Sequence, residues 1–364
     1  MKILITLLLL FTVAANAQEL IKVPISFQEA LAPTDTTSST RFQNEYEDAL
    51  SRGKSLTKDR LQKCGYEFVF SKEFYNASDV LEAKERAAKA ESSGAWLIVG
   101  PRRSNHYLLT AQGAPTTPSV SLMANAREVF SLGSTHRTLG VSNDELAAAL
   151  LSATKNHKAK SYVTVVAGDC VTCVDLSNSF NKAAKNLKKL KEIVFVGETP
   201  DLEKLAGELG NLKPDFVLLP NYSKTSAAIM AAFKRKIPKA IYLGGDGWGN
   251  SSFGFIQSAT ELEGVIGYTA RGSIPVSDAL KSFPLGRAVL EKKSGEAFPD
   301  SNSALSILRI VESTSDLLCK TKPKDKAAFT NAFSSSPKKT YSSTWGVGIY
   351  KLTGKDFEFF EVIK

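Results

Sequence analysis

Short apolar segments alternate with longer segments of helical periodicity along most of the chain. The apolar segments are hydrophobic throughout rather than at every second position, which is typical of strands covered on both faces of a parallel sheet. The predicted strands are 66–70, 95–99, 119–122, 162–167, 193–196, 215–219, 240–243 and 265–268, and the predicted helices are 78–93, 144–155, 176–191, 201–209 and 225–236. This alternation predicts an α/β fold of the doubly wound parallel type.

The pattern changes near residue 277, where two helical segments, 279–293 and 303–320, follow one another. The chain then ends in two strand-like segments, 344–352 and 357–363, which we expect to join an earlier sheet. A single open sheet would be unusually large for a chain of 364 residues. Two lobes are therefore predicted.

The first 17 residues have the composition of a signal peptide. Lys2 precedes an almost continuously apolar run at 3–13, and Ala15-Asn16-Ala17 supplies the small residues that signal peptidase requires. The apolar run is too short to span a bilayer. We expect cleavage after Ala17 and, because no cysteine follows the cleavage site, release into the periplasm without a lipid anchor.

Charge and histidine content disfavour several classes of function. The chain has 46 Lys+Arg and 37 Asp+Glu, and much of this excess of positive charge comes from Lys182, Lys185, Lys188, Lys189 and Lys191. We interpret these lysines as a solvated helix face. A nucleic-acid groove would have aromatic residues interleaved among them, so nucleic-acid binding is not predicted. The three histidines lie far apart, so no metal site or other cofactor is predicted. There is no G-x-S-x-G or P-loop motif, and no enzyme activity is predicted.

Polar side chains follow five of the predicted strands, where ligands bind in parallel sheets. Each also has a plain structural interpretation: Ser104 as a helix cap, Asn125 and Asp246 as turn residues, Tyr222 as a core residue. Their recurrence at successive strand ends favours a ligand site, in which Trp248 would stack on a ring or cover an apolar group. The candidate residues are Arg102, Ser104, Met123, Asn125, Thr172, Tyr222, Asp246 and Trp248.

Cys170 and Cys173 form a C-x-x-C pair, which fits either a redox dithiol or a structural disulfide. We favour the structural disulfide, because the chain shows no thioredoxin-like unit and cysteines of secreted proteins are commonly bridged. Cys64 and Cys319 would then pair with each other or stay free.

Four short motifs, in this order and spacing, resemble those of type I periplasmic binding proteins of the branched-chain amino-acid class (periplasmic binding protein-like I). They are 96–101 with Ser104, 118–121, 216–219 leading to Tyr222, and 242–247. The resemblance runs from about residue 66 to the C-terminus. It implies two lobes joined by a three-segment hinge, the first comprising 18–137 and 270–340 and the second 138–269 and 341–364.

The resemblance also implies roles for individual residues. Ser104 matches a hydroxyl that binds the ligand carboxylate, Asn125 stands where a second hydroxyl residue usually helps it, Tyr222 matches an aromatic residue of the second lobe, and Asp246 matches the acid that meets the ligand ammonium. This chain departs from the pattern in two places near the site. Thr172 and Cys173 replace a Tyr-Gly pair, and Arg102 and Arg103 add positive charge beside the carboxylate position.

The function implied by the resemblance is capture of an amino acid or related small carboxylate by a monomeric periplasmic protein, for delivery to an ABC-type permease. The alternative is a sensing or docking protein of the same fold that regulates a membrane or cell-envelope partner. An open Ser104/Asp246 cleft favours the first and a filled cleft the second. In the family's topology Cys64 and Cys319 both fall in the first lobe, which makes their pairing possible.

Overall fold

The computed structural model describes residues 19–31, 36–197, 200–248, 261–291, 298–299, 301–342, 346–354 and 356–363. The predicted signal peptide lies outside these ranges. Within them the chain forms two α/β lobes, one around a five-stranded sheet and one around a seven-stranded sheet. No helix in the described ranges combines the length and the apolar character needed to cross a membrane.

The first lobe is built on a wholly parallel sheet from the N-terminal part of the chain. Its elements are β1 (Ile21–Leu31), α1 (Thr36–Cys64), β2 (Tyr66–Asn76), α2 (Leu81–Ser92), β3 (Leu97–Val99), α3 (Ser104–Gly113), β4 (Ser119–Ser121), α4 (Arg127–Phe130) and β5 (His136–Thr138). The strand order is β2-β1-β3-β4-β5, so β1 lies between β2 and β3.

The second lobe begins after β5 and repeats the alternation of strand and helix. Its elements up to the next crossing are α5 (Asn143–Ala153), β6 (Ser161–Ala167), α6 (Val171–Ala183), β7 (Lys188–Phe195), α7 (Leu202–Leu212), β8 (Phe216–Leu218), α8 (Ser223–Phe233), β9 (Ile241–Gly244) and β10 (Ile266–Arg271). A short 3-10 turn, Lys155–His157, precedes β6. The five strands β6 to β10 pair in parallel.

The chain then returns to the first lobe and finally comes back to the second. The returning elements are α9 (Val276–Lys281), α10 (Pro284–Glu291), α11 (Asn302–Thr321), α12 (Lys326–Ser335), a 3-10 turn (Lys338–Tyr341), β11 (Val347–Thr353) and β12 (Asp356–Ile363). Side chains of α9 to α12 share one apolar core with the first sheet, and Cys319 in α11 is bonded to Cys64 at the end of α1. β11 and β12 extend the second sheet in antiparallel pairing, giving the order β12-β11-β10-β9-β8-β6-β7. The chain therefore passes between the lobes three times.

Both faces of the second sheet are covered by apolar side chains, as continuously apolar strands require. Val163 and Val165 of β6 pack in one cluster with Tyr242, whereas Tyr162 packs in another with Phe180. Because side chains alternate between the faces of a strand, these clusters lie on opposite faces of the sheet. The α/β fold class predicted from the sequence is confirmed.

The N-terminal segment is the largest difference from the sequence prediction, which placed its first strand at residue 66. The structure adds β1, a long interior strand, and α1, a helix of 29 residues. Ser26, Gln28 and Glu29 of β1 are fully buried, and Gln28 Nε2 donates to Ser26 Oγ and to the carbonyl of Arg86. Polar residues are therefore buried along this strand, which hides its apolar pattern in the sequence.

The predicted helix 176–191 is wrong beyond Ala183. Residues 188–195 form β7, which pairs only with β6 and is an edge of the second sheet. Lys188, Lys189 and Lys191 therefore lie on an edge strand rather than a helix face. Lysines at such an edge discourage pairing with strands of other chains, which explains their concentration there.

Candidate functional site

The predicted site residues of the two lobes meet between the strand ends. The loops after β3 and β4 in the first lobe contact the loops after β6, β8 and β9 in the second. Parallel strands bring their carboxyl ends to one edge of each sheet, so the strand-helix order of the sequence dictates this convergence. In the described ranges, no three His, Cys, Asp or Glu side chains are grouped as metal ligands.

Ser104 stands at the start of α3, but, contrary to the interpretation as a helix cap, its hydroxyl does not cap that helix. Arg103 is the N-cap residue and makes no side-chain cap, while Ser104 is the first helical residue. The Ser104 Oγ instead accepts hydrogen bonds from the backbone N–H groups of Asn125 (3.1 Å) and Ala126 (3.2 Å). The hydroxyl thus fixes the loop after β4 against the start of α3, and its own proton is left to donate.

Asn125 joins the two lobes directly. Its Nδ2 donates to both carboxylate oxygens of Asp246, at 2.9 and 3.0 Å, and its Oδ1 accepts a hydrogen bond from the Thr172 hydroxyl. Asn125 belongs to the first lobe, whereas Thr172 and Asp246 belong to the second. One amide side chain therefore satisfies a donor and an acceptor of the opposite lobe.

Asp246 lies in a desolvated position between the lobes. Burial raises the pKa of its carboxyl from 3.8 to about 6, against the opposing effects of the Asn125 hydrogen bond and the Arg271 charge. Arg271, at the end of β10, is itself buried, which lowers its pKa to about 10 and leaves it cationic at neutral pH. Asp246 therefore has a positive charge from its own lobe and an amide from the other lobe.

The two neighbouring arginines have different surroundings. The Arg102 guanidinium lies over the Phe42 ring, 4.3 Å from its centroid, with Nε 3.6 Å from Oε1 of the fully buried Glu29. Arg102 is thus paired within the first lobe. The Arg103 guanidinium lies 5.6 Å from the centroid of the Tyr222 ring, which belongs to the second lobe. Of the two, Arg103 faces the opposite lobe, although the sequence analysis selected Arg102.

The three other apolar candidates differ in their exposure to solvent. Tyr222 is 41% exposed and packs against Arg103, whereas Met123 is half-buried against the core of the first lobe. Trp248 is completely buried, and its indole N–H donates to the Leu219 carbonyl (3.1 Å) and to Ser226 Oγ (2.8 Å). The expectation that Trp248 stacks on a ligand is therefore wrong for this structure, because its ring packs in the core of the second lobe.

A second contact between the lobes lies beside the Asn125 bridge. The Arg127 backbone N–H donates to Asp175 Oδ2 at 2.8 Å, and the Arg127 guanidinium reaches Asp144 Oδ1 at 3.3 Å. Arg127 starts α4 of the first lobe, and both acids stand on helices of the second. No pattern in the sequence indicates this contact, because these charges lie on helices and not directly after a strand.

Cys170 and Cys173 are joined in a disulfide at the start of α6. The Cys170 Sγ also accepts the backbone N–H of Cys173. The bridge encloses Thr172, whose hydroxyl contacts Asn125. Its effect in this structure is to fix the backbone of a residue in the contact between the lobes.

Comparisons with known proteins identify the fold. No family model matches the sequence, and no curated protein matches it significantly. Among solved structures, the leucine-binding protein LivK from Thermotoga maritima is 18% identical (TM-score 0.73), with 94% of this chain and 99% of that chain covered. The substrate-binding protein LivJ from Streptococcus pneumoniae, in complex with isoleucine, is 16% identical (TM-score 0.70), with 94% and 100% covered.

A third neighbour binds a different kind of carboxylate. It is a solute-binding protein of an ABC transporter from R. palustris in complex with benzoate, 15% identical (TM-score 0.69), with 94% of this chain and 96% of that chain covered. At these identities the similarity establishes the fold. The chain has the fold of the type I ABC substrate-binding proteins, among them the branched-chain amino-acid binding proteins that its motifs resemble.

Proposed function

We propose that this protein is a periplasmic solute-binding protein that captures a small carboxylate between its lobes and delivers it to an ATP-driven membrane permease. The main support is that predicted site residues from both lobes meet in one place, with Asn125 of the first lobe on Thr172 and Asp246 of the second. Solved structures of the same fold hold isoleucine and benzoate. The role is binding and release, without chemical conversion.

Within this proposal the first lobe supplies the anion site. The Ser104 hydroxyl is a donor, and the positive end of the α3 dipole favours a carboxylate there. Tyr222 covers the ligand from the second lobe. Asn125, Thr172 and Asp246 then hold the lobes together in the closed state, since a hinge protein is stabilised by contacts made only when it is closed.

A second candidate is the sensing or docking role. It is favoured by the hydrogen bonds that the Asn125 side chain already makes with Asp246 and Thr172, which bring the lobes into polar contact. A protein held closed in this way would present a fixed surface to an envelope partner. The two candidates differ in whether a small molecule stabilises the fold.

A thermal-shift screen separates them. The protein from residue 18 onward is heated with amino acids, small carboxylates, amides and short peptides, because a ligand that binds only the folded state raises the melting temperature. We expect a shift with one or more carboxylates, lost in Ser104→Ala and kept in Ser92→Ala, a matched change at an exposed serine of α2. A well-folded protein that responds to no compound would refute the solute-binding proposal and favour docking.

A further inference from the structure

We infer that the ligand of this cleft is an organic anion without an ammonium group, and that Arg103 is a residue that determines this specificity. The inference rests on the proposed function, since it concerns the same cleft. It follows from the charges that the structure brings to the contact between the lobes.

Arg103 is a cation between the lobes that makes no salt bridge in the described part of the chain, although its charge acts on the buried Glu29 at longer range. It directly precedes Ser104, is half-buried, and makes a cation–π contact with the Tyr222 ring of the other lobe. Its neighbour Arg102, in contrast, is paired with the buried Glu29. Burial lowers the pKa of His106 to about 4, and the nearby Arg103 charge adds to this effect, so His106 is neutral at pH 7.

The acids at the centre of the contact are already compensated. Asp246 has the Arg271 charge from its own lobe and the Asn125 amide from the other. An ammonium group brought to Asp246 would have to displace that amide. It would also approach Arg271, which repels it.

The charges at the edge of the contact also balance. Asp144 and Asp175 face Arg127, and Lys182 lies 4.0 Å from Asp144. Among the described residues at this contact, the cations Arg102, Arg103 and Arg271 outnumber the carboxylates Glu29 and Asp246 by one, and Arg103 is the cation that faces the opposite lobe. A ligand of net negative charge restores neutrality, whereas a zwitterion does not.

The arrangement of Arg103 suits a carboxylate. A guanidinium presents parallel N–H donors that bind both oxygens of a carboxylate, and charge-assisted hydrogen bonds of this kind are stronger than neutral ones. A cation–π contact with Tyr222, 5.6 Å from the guanidinium carbon to the ring centroid, holds Arg103 towards the second lobe. Ser104, the next residue, can donate its hydroxyl proton to the same anion.

Ligand pairs that differ only in the amino group test the inference. Isothermal titration at pH 7.5 compares 4-methylpentanoate with leucine, 3-phenylpropanoate with phenylalanine, and propanoate with alanine. We expect the deaminated member of at least one pair to bind about tenfold or more tightly than its amino acid, a difference of about 1.4 kcal/mol. Arg103→Gln should weaken the binding of that anion by about 10- to 100-fold. It should also reduce the protein's preference for the anion over the amino acid, because the variant removes an attraction for the anion and a repulsion of the ammonium.

Two control variants complete the test. Arg103→Lys keeps the charge without the planar donor pair and should retain part of the preference. Arg235→Gln makes the same change in net charge at an exposed arginine of the second lobe, paired with Glu203, and should bind as the native protein does. Tighter binding of the amino acids, or an unchanged preference in Arg103→Gln, would overturn the inference and leave solute binding intact. Failure of every anion and amino acid to bind the native protein would refute the proposed function itself.

Discussion

The raised pKa of Asp246 predicts a specific pH dependence of stability. Between pH 3.8, the unperturbed pKa, and about pH 6, the folded protein keeps a proton on Asp246 that the unfolded chain has lost. In this range the unfolded state binds fewer protons, so the contribution of Asp246 to the free energy of unfolding falls as the pH rises. Each pKa unit corresponds to about 1.4 kcal/mol, and the shift therefore predicts a total fall of about 3 kcal/mol.

Asp246→Asn isolates this contribution, because asparagine does not titrate and keeps the shape of the side chain. Urea unfolding is followed by tryptophan fluorescence, to which Trp248, buried in the same lobe, contributes, at several pH values from 3.5 to 7.5. We expect the free energy of unfolding of the native protein, minus that of Asp246→Asn, to decrease by about 3 kcal/mol from pH 3.5 to pH 7.5. Subtracting the two profiles removes the contributions of the other titratable groups.

Asp215 provides a matched control of opposite sign. Backbone N–H groups of Lys160 and Ser161 donate to its carboxylate and hold the pKa of Asp215 below its usual value. Its contribution to stability is present at neutral pH and is lost as the pH falls through the lowered pKa. The difference profile for Asp215→Asn should therefore rise with pH. A profile for Asp246→Asn that is flat, or that also rises, would refute the assignment of Asp246 as a desolvated carboxyl.

Three further substitutions test other parts of the structure. Trp248→Phe removes the indole donor from Ser226 and should lower the free energy of unfolding by about 1–3 kcal/mol in urea titrations, whereas an unchanged value would contradict its place in the core. Replacing both Cys64 and Cys319 by serine should cost about 2–5 kcal/mol by calorimetry, because their disulfide closes a long loop; a cost below 1 kcal/mol would argue against it. Asn125→Ala should weaken closure by about 1.5–3 kcal/mol and increase the radius of gyration in X-ray scattering, while an identical radius would show that Asn125 does not hold the lobes together.

The sequence predicted the parts of the fold whose side chains are uniformly apolar. The strands β3, β4, β6, β8 and β9 were found because both of their faces are buried, which leaves a continuous apolar run. β1 was missed because Ser26, Gln28 and Glu29 interrupt that run and find their hydrogen-bond partners only in the folded chain. The first half of β7, residues 188–191, was predicted as helix because its lysines happen to fall at helical spacing, whereas its end was predicted as the strand 193–196.

The site was predicted in part, through the rule that loops at the carboxyl ends of parallel strands converge. Asn125, Thr172 and Asp246 do meet. The rule gives the position of a residue and not the direction of its side chain, which is why Trp248 turned out to lie in the core and Arg103 to face the other lobe. Those directions depend on long-range partners such as Ser226, which no local pattern reveals.

The decisive experiment is a crystal structure of the protein grown with the carboxylate that gives the largest thermal shift. We expect the ligand to lie between the lobes, with its carboxylate bound by Ser104 and the Arg103 guanidinium and with Tyr222 against it. This expectation would be contradicted by a carboxylate bound outside the contact between the lobes, or by one bound there without contact to either Arg103 or Ser104.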